Sequence, residues 1–378
     1  MNLDFLKLLA LDQQIILAAF VLFFLIQIIY YFTVFSRVAF YKHKGANVSE
    51  VSQDGISVVI CAHNESEKLE ELLPKVLEQG HPLFEVIVIN DCSTDNSDDV
   101  LNMLSTSYPN LVVRTIHLDE IFSHNNSMAW GVGIRAAQYE WIVLTDVNCY
   151  PDDENWLGTL QQNFTKETEV VLSYTHIQNN TLLRAGNFAD TLHYLSTACA
   201  HKPYTGSGEN LAFRKSLFFE NKGFHALLKL YDKADRIFIN SVATAKNTVV
   251  DLTPGAINSS TLKISFKDWR LKRRDEIRSQ RLFRKGTQYK GCFELVSRSL
   301  FYLLFIAALV FILDIQWAWI TVLSLFVVRL FVQILIYSKA QKRLKEKGLL
   351  LISILWDIIS PLIYLPIILL SKIERKQY

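Results

Sequence analysis

Apolar residues are distributed unevenly along this chain, running almost without interruption near both ends and falling into shorter periodic groups between. Residues 15–34 form one such run, about the 20 residues that a helix needs to cross a hydrocarbon core. The run is too long for the apolar region of a cleaved signal peptide, lacks a basic start and has no small-residue cleavage site before Ser36. Residues 300–313 and 317–337 are two further runs, separated by Asp314, Ile315 and Gln316, and predict a transmembrane hairpin. The last run, 349–370, contains Asp357, Pro361 and Pro366 and precedes Lys372, Arg375 and Lys376. Both a fourth span and a kinked re-entrant segment accommodate it.

The middle of the chain carries the periods of a soluble α/β domain. Residues 56–62 are a β-branched strand, and Leu69, Leu72, Leu73, Val76 and Leu77 give 66–79 the spacing of a helix that Ser66 can cap. Residues 84–90, 111–118 and 141–145 read as further strands, with helices opening after Asp91 and over 128–138. Strands alternating with helices imply a Rossmann-like, mostly parallel sheet with helices on both faces. Ligands bind at the carboxyl ends of the strands in such sheets. Three strand ends here carry polar groups: His63, Asn64 and Glu65; Asp91 to Asp95; and Asp146 with Asn148.

The domain boundaries follow: 1–14 a short extracytoplasmic start, 15–35 a transmembrane helix, 54–262 the soluble domain, 263–298 a basic amphipathic interfacial segment, 299–337 the hairpin, and 348–371 the fourth transmembrane or re-entrant segment.

Composition adds that the chain, 50% hydrophobic and 12% aromatic, is not disordered, while its net charge of +2 says little about partners. Local charge is more informative. Arg37, Lys42, His43 and Lys44 follow the first helix, whereas Asp4, Lys7 and Asp12 precede it, which puts the soluble domain on the cytoplasmic side of an inner or plasma membrane. Lys339, Lys342, Arg343, Lys345 and Lys347 after the hairpin agree. The basic residues from Lys263 to Lys290, interspersed with Phe266, Trp269 and Leu282, fit a helix on anionic membrane lipids, and their place beside a hairpin argues against nucleic acid. Arg329 lies within an apolar run, where its charge must face protein, water or a headgroup. The five cysteines form no C-x-x-C pair and read as reduced thiols.

From about residue 56 to 269 the sequence resembles the family 2 glycosyltransferases, inverting enzymes with a GT-A fold. The resemblance is carried by Ile56-Ser-Val-Val-Ile-Cys-Ala-His-Asn-Glu65, by Val88-Ile-Asn-Asp-Cys-Ser-Thr-Asp95, by Leu144-Thr-Asp-Val-Asn-Cys-Tyr-Pro151 with Trp156-Leu157, and by Gly206-Ser-Gly-Glu-Asn-Leu-Ala-Phe-Arg214. It implies transfer of a sugar from a nucleotide diphosphate sugar, with a UDP-sugar favoured, to a lipid-linked or saccharide acceptor. Asn64, Glu65, Asp91, Ser93 and Asp95 would line the nucleotide-sugar site. Asp146 and Asn148 would bind a divalent cation, Mg²⁺ or Mn²⁺. Gly208, Glu209 and Asn210 would lie beside the acceptor, Lys272, Arg273 and Arg274 near acceptor and phosphate, and Asp235 would be the catalytic base.

The chain departs from the family pattern at several of these positions. Asn148 stands for the second aspartate of D-x-D, Ala234 and Arg236 flank the base where an acidic neighbour is usual, and Lys272-Arg-Arg-Asp-Glu276 replaces a glutamine-containing motif. Ser123 to Trp130 lacks a lysine pair common in relatives. Structural readings stand beside the functional ones: a helix cap for Asp91 to Asp95, a turn for Asp146, a solvated helix face for Asp235 and a lipid-facing surface for the arginines. The other function classes are a catalytically weakened domain serving as a binding or assembly subunit, and a nucleotidyltransferase, which would release pyrophosphate.

Overall fold

The strand Ile56–Ala62 (β1) is buried at every position, and it organises the soluble part of the molecule. In the computed structural model, which describes residues 9–43, 51–117, 124–178, 181–221, 223, 234–288 and 290–373, it lies inside a seven-stranded sheet, flanked by strands on both sides. Asp4, Lys7, Lys44, Ser123, Lys233, Arg375 and Lys376 fall outside the described residues.

In chain order the described elements are α1 (Leu11–Tyr30), a π-helical turn (Tyr31–Phe35), α2 (Ser36–Ala39), β1, α3 (Ser66–Leu77), β2 (Phe84–Asp91), α4 (Ser97–Ser107), β3 (Leu111–Ile116), α5 (Asn126–Ala136), β4 (Trp141–Asp146), β5 (Cys149–Pro151), α6 (Trp156–Gln161), β6 (Val170–Leu172) and β7 (Thr175–Ile177). Then come α7 (Thr181–Cys199), β8 (Asn210–Arg214), α8 (Lys215–Glu220), α9 (Ala234–Val242), β9 (Thr248–Val250), β10 (Asn258–Ser260), α10 (Phe266–Ser279), α11 (Lys290–Phe311), α12 (Gln316–Arg343) and α13 (Leu350–Ile373).

The main sheet has the order β3-β2-β1-β4-β8-β6-β9, and a small sheet has the order β5-β10-β7. Strands β3, β2, β1 and β4 pair in parallel, as the alternation of strands and helices requires, and β8 is antiparallel to both β4 and β6. Register matters for function. Ala62 pairs with Asn90 and Cys61 with Asp146, so the residues that follow β1 and end β2 and β4 emerge at one edge.

Alternate side chains of β1 enter two cores, as a pleated strand demands. Ile56, Val58 and Ile60 pack with Leu69, Leu73 and Leu101 of the helices on one face. Val59 and Cys61 pack on the other with α5 and α7, in a core that continues to Tyr31, Phe35, Tyr337 and Trp356 of the apolar helices. The anchors and the domain therefore share one core. Gly133 permits the close approach of α5 to β1, because a Cβ there would lie 2.4 Å from Val59.

Among the described residues four helices are long and apolar enough to cross a membrane: Leu11–Ala39, Lys290–Phe311, Gln316–Arg343 and Leu350–Leu369. The last is one continuous helix through Pro361 and Pro366. Arg329 faces protein, as its charge requires: its guanidinium bonds Asp357 at 2.8 Å, Gln27 at 3.1 Å and Gln333 at 2.8 Å, all within the bundle. The helix α11 starts at Lys290 rather than near residue 299, because its polar residues Glu294 and Arg298 pair with each other and Arg298 pairs with Asp357 inside the protein.

Two local expectations are corrected. Ser66 does not cap α3; its N–H is instead capped by Asp95 Oδ2 at 3.0 Å, from the turn after β2. The basic segment is not a single interfacial helix, since α10 docks on protein through buried Trp269, Arg273 and Glu276, with Trp269 set edge-on to Trp356 at 5.5 Å. Lys267, Arg270, Lys272, Arg281, Arg284 and Lys285 remain exposed.

Candidate active site

The edge where β1, β2 and β4 end opens into a cleft with two halves, which share Asn126, Asp146, Glu209, Leu262 and Lys272. One half adds His63, Glu65, His124 and Asn148; the other adds Trp130, Gly208, Asp235, Arg236 and Arg273.

The turns after β1 and β2 hold each other. Asn64 adopts a left-handed conformation (φ 54°), its N–H donates to Ser93 Oγ at 3.0 Å, and its Oδ1 accepts from the Thr94 N–H at 2.7 Å. Asp95 Oδ1 also accepts from the Ser97 N–H at 3.1 Å and the Ser97 hydroxyl at 2.6 Å, so a single carboxylate caps both α3 and α4. Asn64, Ser93 and Asp95 thus tie the two turns together and do not themselves line the cleft.

Asp91 is buried at the end of β2. Its Oδ2 lies 2.7 Å from His124 Nδ1 and accepts from the Asn125 N–H at 2.8 Å. Burial alone would raise this carboxyl, but the His124 and Asn125 hydrogen bonds outweigh it and hold the group below the ordinary aspartate value. His63 Nδ1 approaches the Asp91 carbonyl at 2.6 Å, and its ring stacks on His124 with centroids 4.0 Å apart. The sequence pattern marks His63 only as part of a polar strand end and does not single out His124, which lies in a segment without periodic signal. Only the packing of α5 against β1 and β2 brings them together.

At the end of β4, Asp146 Oδ1 accepts from the Asn148 backbone N–H at 2.9 Å and from its amide Nδ2 at 2.7 Å. Nδ2 also donates to Glu65 Oε1 at 3.0 Å, and the Lys68 ammonium donates to Asn148 Oδ1. Glu65 is pushed above the usual carboxylate range by burial first and by the charge of Asp146 second, with Lys68 opposing both. The amide of Asn148 is therefore used at both ends. A divalent cation seeks several oxygen ligands free of donors; here Asp146 Oδ1 receives two N–H groups and Asn148 Oδ1 an ammonium, so as arranged the pair offers a cation only the second carboxylate oxygen of Asp146.

Asp235, at the start of α9, is buried and borders the cleft. Its Oδ2 accepts from the Gly208 N–H at 2.7 Å, while its Oδ1 is buried without a hydrogen-bond partner. Glycine at 208 suits this approach, because a Cβ there would lie 2.8 Å from Trp130 and 3.3 Å from Asp235 Oδ2. Glu209 borders both halves. Asn210 does not reach the cleft: its Nδ2 donates to the carbonyls of Tyr174 at 3.0 Å and Ala256 at 2.8 Å, tying the strand to the core.

The three consecutive basic residues at 272–274 of α10 diverge. Lys272 lines both halves of the cleft, Arg273 is buried in ion pairs with Asp190 and Glu276, and Arg274 pairs with Asp275 at 3.4 Å outside the cleft lining. The lipid-facing reading holds for neither Lys272 nor Arg273.

Residues 57–222 match the model for Glycosyl transferase family 2. Among curated proteins, the poly-beta-1,6-N-acetyl-D-glucosamine synthase of Staphylococcus epidermidis is 29% identical over 130 residues, covering 33% of this chain and 29% of the synthase. The synthase of the same name from Staphylococcus aureus (strain COL) is 28% identical over 127 residues, covering 34% of this chain and 29% of its own length. The chain thus spans under a third of the curated relatives it matches. A mannosyltransferase from Pyrobaculum calidifontis, solved in complex with GDP-Man and Mn²⁺, superposes with a TM-score of 0.54 at 15% identity over 92% of this chain and 99% of that one. At that identity the likeness establishes a GT-A-like fold.

Proposed function

We propose that this chain, whose residues 57–222 match the model for Glycosyl transferase family 2, transfers a sugar with inversion from a nucleotide diphosphate sugar to a lipid-linked or saccharide acceptor at a membrane. The observation that carries the reading is the unpartnered, buried Oδ1 of Asp235 at the wall of the cleft that the strand ends build.

In this reading the nucleotide lies against the edge formed by Glu65, Asp91 and the stacked His63 and His124. Asp91, fixed by His124 and Asn125, presents its remaining carboxylate oxygen to the base. The acceptor hydroxyl approaches Asp235 Oδ1, which takes its proton as the new bond forms at the anomeric carbon and the nucleoside diphosphate departs from the opposite face. Asp235 Oδ2, held by the Gly208 N–H, keeps the carboxylate from rotating away. Lys272 faces the cleft as a cation toward the phosphates. Asp146 and Asn148 carry no cation in this scheme; they order Glu65 and the floor of the cleft.

Cytoplasmic placement of the domain is supported by the basic residues after the first and third apolar helices. A UDP-sugar is the favoured donor, and UDP-N-acetylglucosamine is the first to test, in view of the names of the two staphylococcal relatives.

The test uses the full chain in detergent with UDP-, GDP- and dTDP-sugars and measures release of nucleoside diphosphate. Turnover with one donor is expected, together with a loss of about 10²-fold or more for Asp235→Asn. Undiminished turnover in that variant removes the base from Asp235. Release of pyrophosphate instead identifies a nucleotidyltransferase.

A further inference from the structure

Lys68 has no place in the scheme above, yet it contacts two residues of the cleft wall, Glu65 and Asn148. It lies on the first turn of α3, one turn after Glu65, with its ammonium on Asn148 Oδ1 and 3.4 Å from Glu65 Oε1. The two donor bonds of the Asn148 amide, to Asp146 and to Glu65, fix which end of the amide is oxygen, and that end faces the lysine.

An aspartate at 148 would put a third carboxylate against Asp146 and Glu65, an arrangement that only a strongly charged cation relieves. The asparagine removes one negative charge from this set, and Lys68 adds one positive charge to it. The two residues account for each other: the amide needs a donor for its oxygen, and the ammonium needs acceptors that are not already neutralised by metal. Among the described residues no group of three or more His, Cys, Asp and Glu side chains is arranged to hold a metal ion.

We propose that Lys68 is the resident counter-charge behind the wall of this cleft, its ammonium standing at Asn148 and Glu65 in place of a divalent ion, so that a nucleoside diphosphate binds without added metal. The proposal rests on the transferase reading for its ligand, but not for its cation. Lys68 acts here as a positioning residue: it neutralises Glu65 and holds the Asn148 amide, whereas Lys272 is the cation lining the cavity itself.

Two measurements on the full chain in detergent test this. Uptake of Mn²⁺, followed by loss of the free-ion paramagnetic resonance signal, is compared for the wild type, Lys68→Met, Asn148→Asp and the double variant. Binding of UDP and GDP is compared with EDTA and with Mn²⁺. The wild type is expected to show no saturable Mn²⁺ uptake and the same nucleotide affinity in both conditions. The double variant should gain Mn²⁺ affinity by about tenfold or more, the size typical of changes around a metal site, and its nucleotide binding should become EDTA-sensitive. Saturable Mn²⁺ uptake by the wild type that Lys68→Met does not strengthen overturns the proposal. If the folded protein binds no nucleotide in either condition, the transferase reading falls, while the Mn²⁺ comparison still decides the place of Lys68.

Discussion

Arg236 and Glu276 form an ion pair, with Nη2 and Oε1 3.4 Å apart, between the residue after the candidate base and the end of the basic motif on α10. Each is a departure from the family pattern, an arginine where an acid is usual and an acid where the motif ordinarily ends otherwise. Together they are complementary. Glu276 also receives Arg273 at 2.5 Å, so the pair belongs to a network that docks α10 over the cleft.

Removing Glu276 leaves Arg236 and Arg273 short of a counter-charge in a buried setting, which costs about 3 kcal/mol. Glu276→Ala should lower the thermal midpoint by several degrees and raise KM more than it lowers kcat, because α10 loses its seat. The exchange Arg236→Glu with Glu276→Arg should recover part of the midpoint; a double variant no better than the worse single one refutes the coupling.

The pair of Arg329 and Asp357 obeys the same rule inside the helix bundle, where Asp357 also accepts from Arg298 and Tyr302. Arg329→Met or Asp357→Leu alone should destabilise the protein by about 3–5 kcal/mol, the cost of an unpaired buried charge. The double variant should be less destabilised than either single one. Unfolding in a detergent series reads the difference.

Asp95 is slightly desolvated, which raises its carboxyl, but the hydrogen bonds from Ser97 and Ser66 outweigh this and bring it down to about 2 from the ordinary 3.8. Its folded value is the lower one, so its contribution is complete above about pH 4 and fades as pH falls toward 2. Asp95→Ala should cost about 1–2 kcal/mol, because a cap is lost on both α3 and α4. The gap in thermal midpoint between wild type and Asp95→Ala should close between pH 5 and pH 2.5. A gap that stays constant would show that the carboxylate charge is irrelevant.

Gly208→Ala places a methyl group against Trp130 and near Asp235 Oδ2. Turnover should fall by about tenfold or more, since a small displacement of a reacting group is enough for such a loss. The midpoint should change little by comparison. Unchanged turnover would separate Asp235 from the Gly208 segment.

Much of the fold was legible because it rests on local periods. The continuous β-branched run of β1 and the helical spacing of Leu69, Leu72, Leu73, Val76 and Leu77 describe elements whose burial follows from their own residues. The polar strand ends were legible as well, since a parallel sheet brings such ends to one edge. The cap on α3 was not: Ser66 is local, whereas Asp95 belongs to another turn, and no period links them.

The sequence by itself determined the apolar spans, the order of strands and helices, and which strand ends carry carboxylates, because length, hydropathy and period act along the chain. Tertiary structure alone decided partners. It set Lys68 on Asn148, His124 on Asp91, Arg236 on Glu276 and Arg329 on Asp357. It also turned Asn210 and Arg274 away from the cleft and left Asp235 Oδ1 buried without a partner beside it. The physical reason is that hydrogen bonds and ion pairs depend on distance in space. Residues far apart in the chain acquire their chemistry only when β1, β2, β4 and α10 are packed.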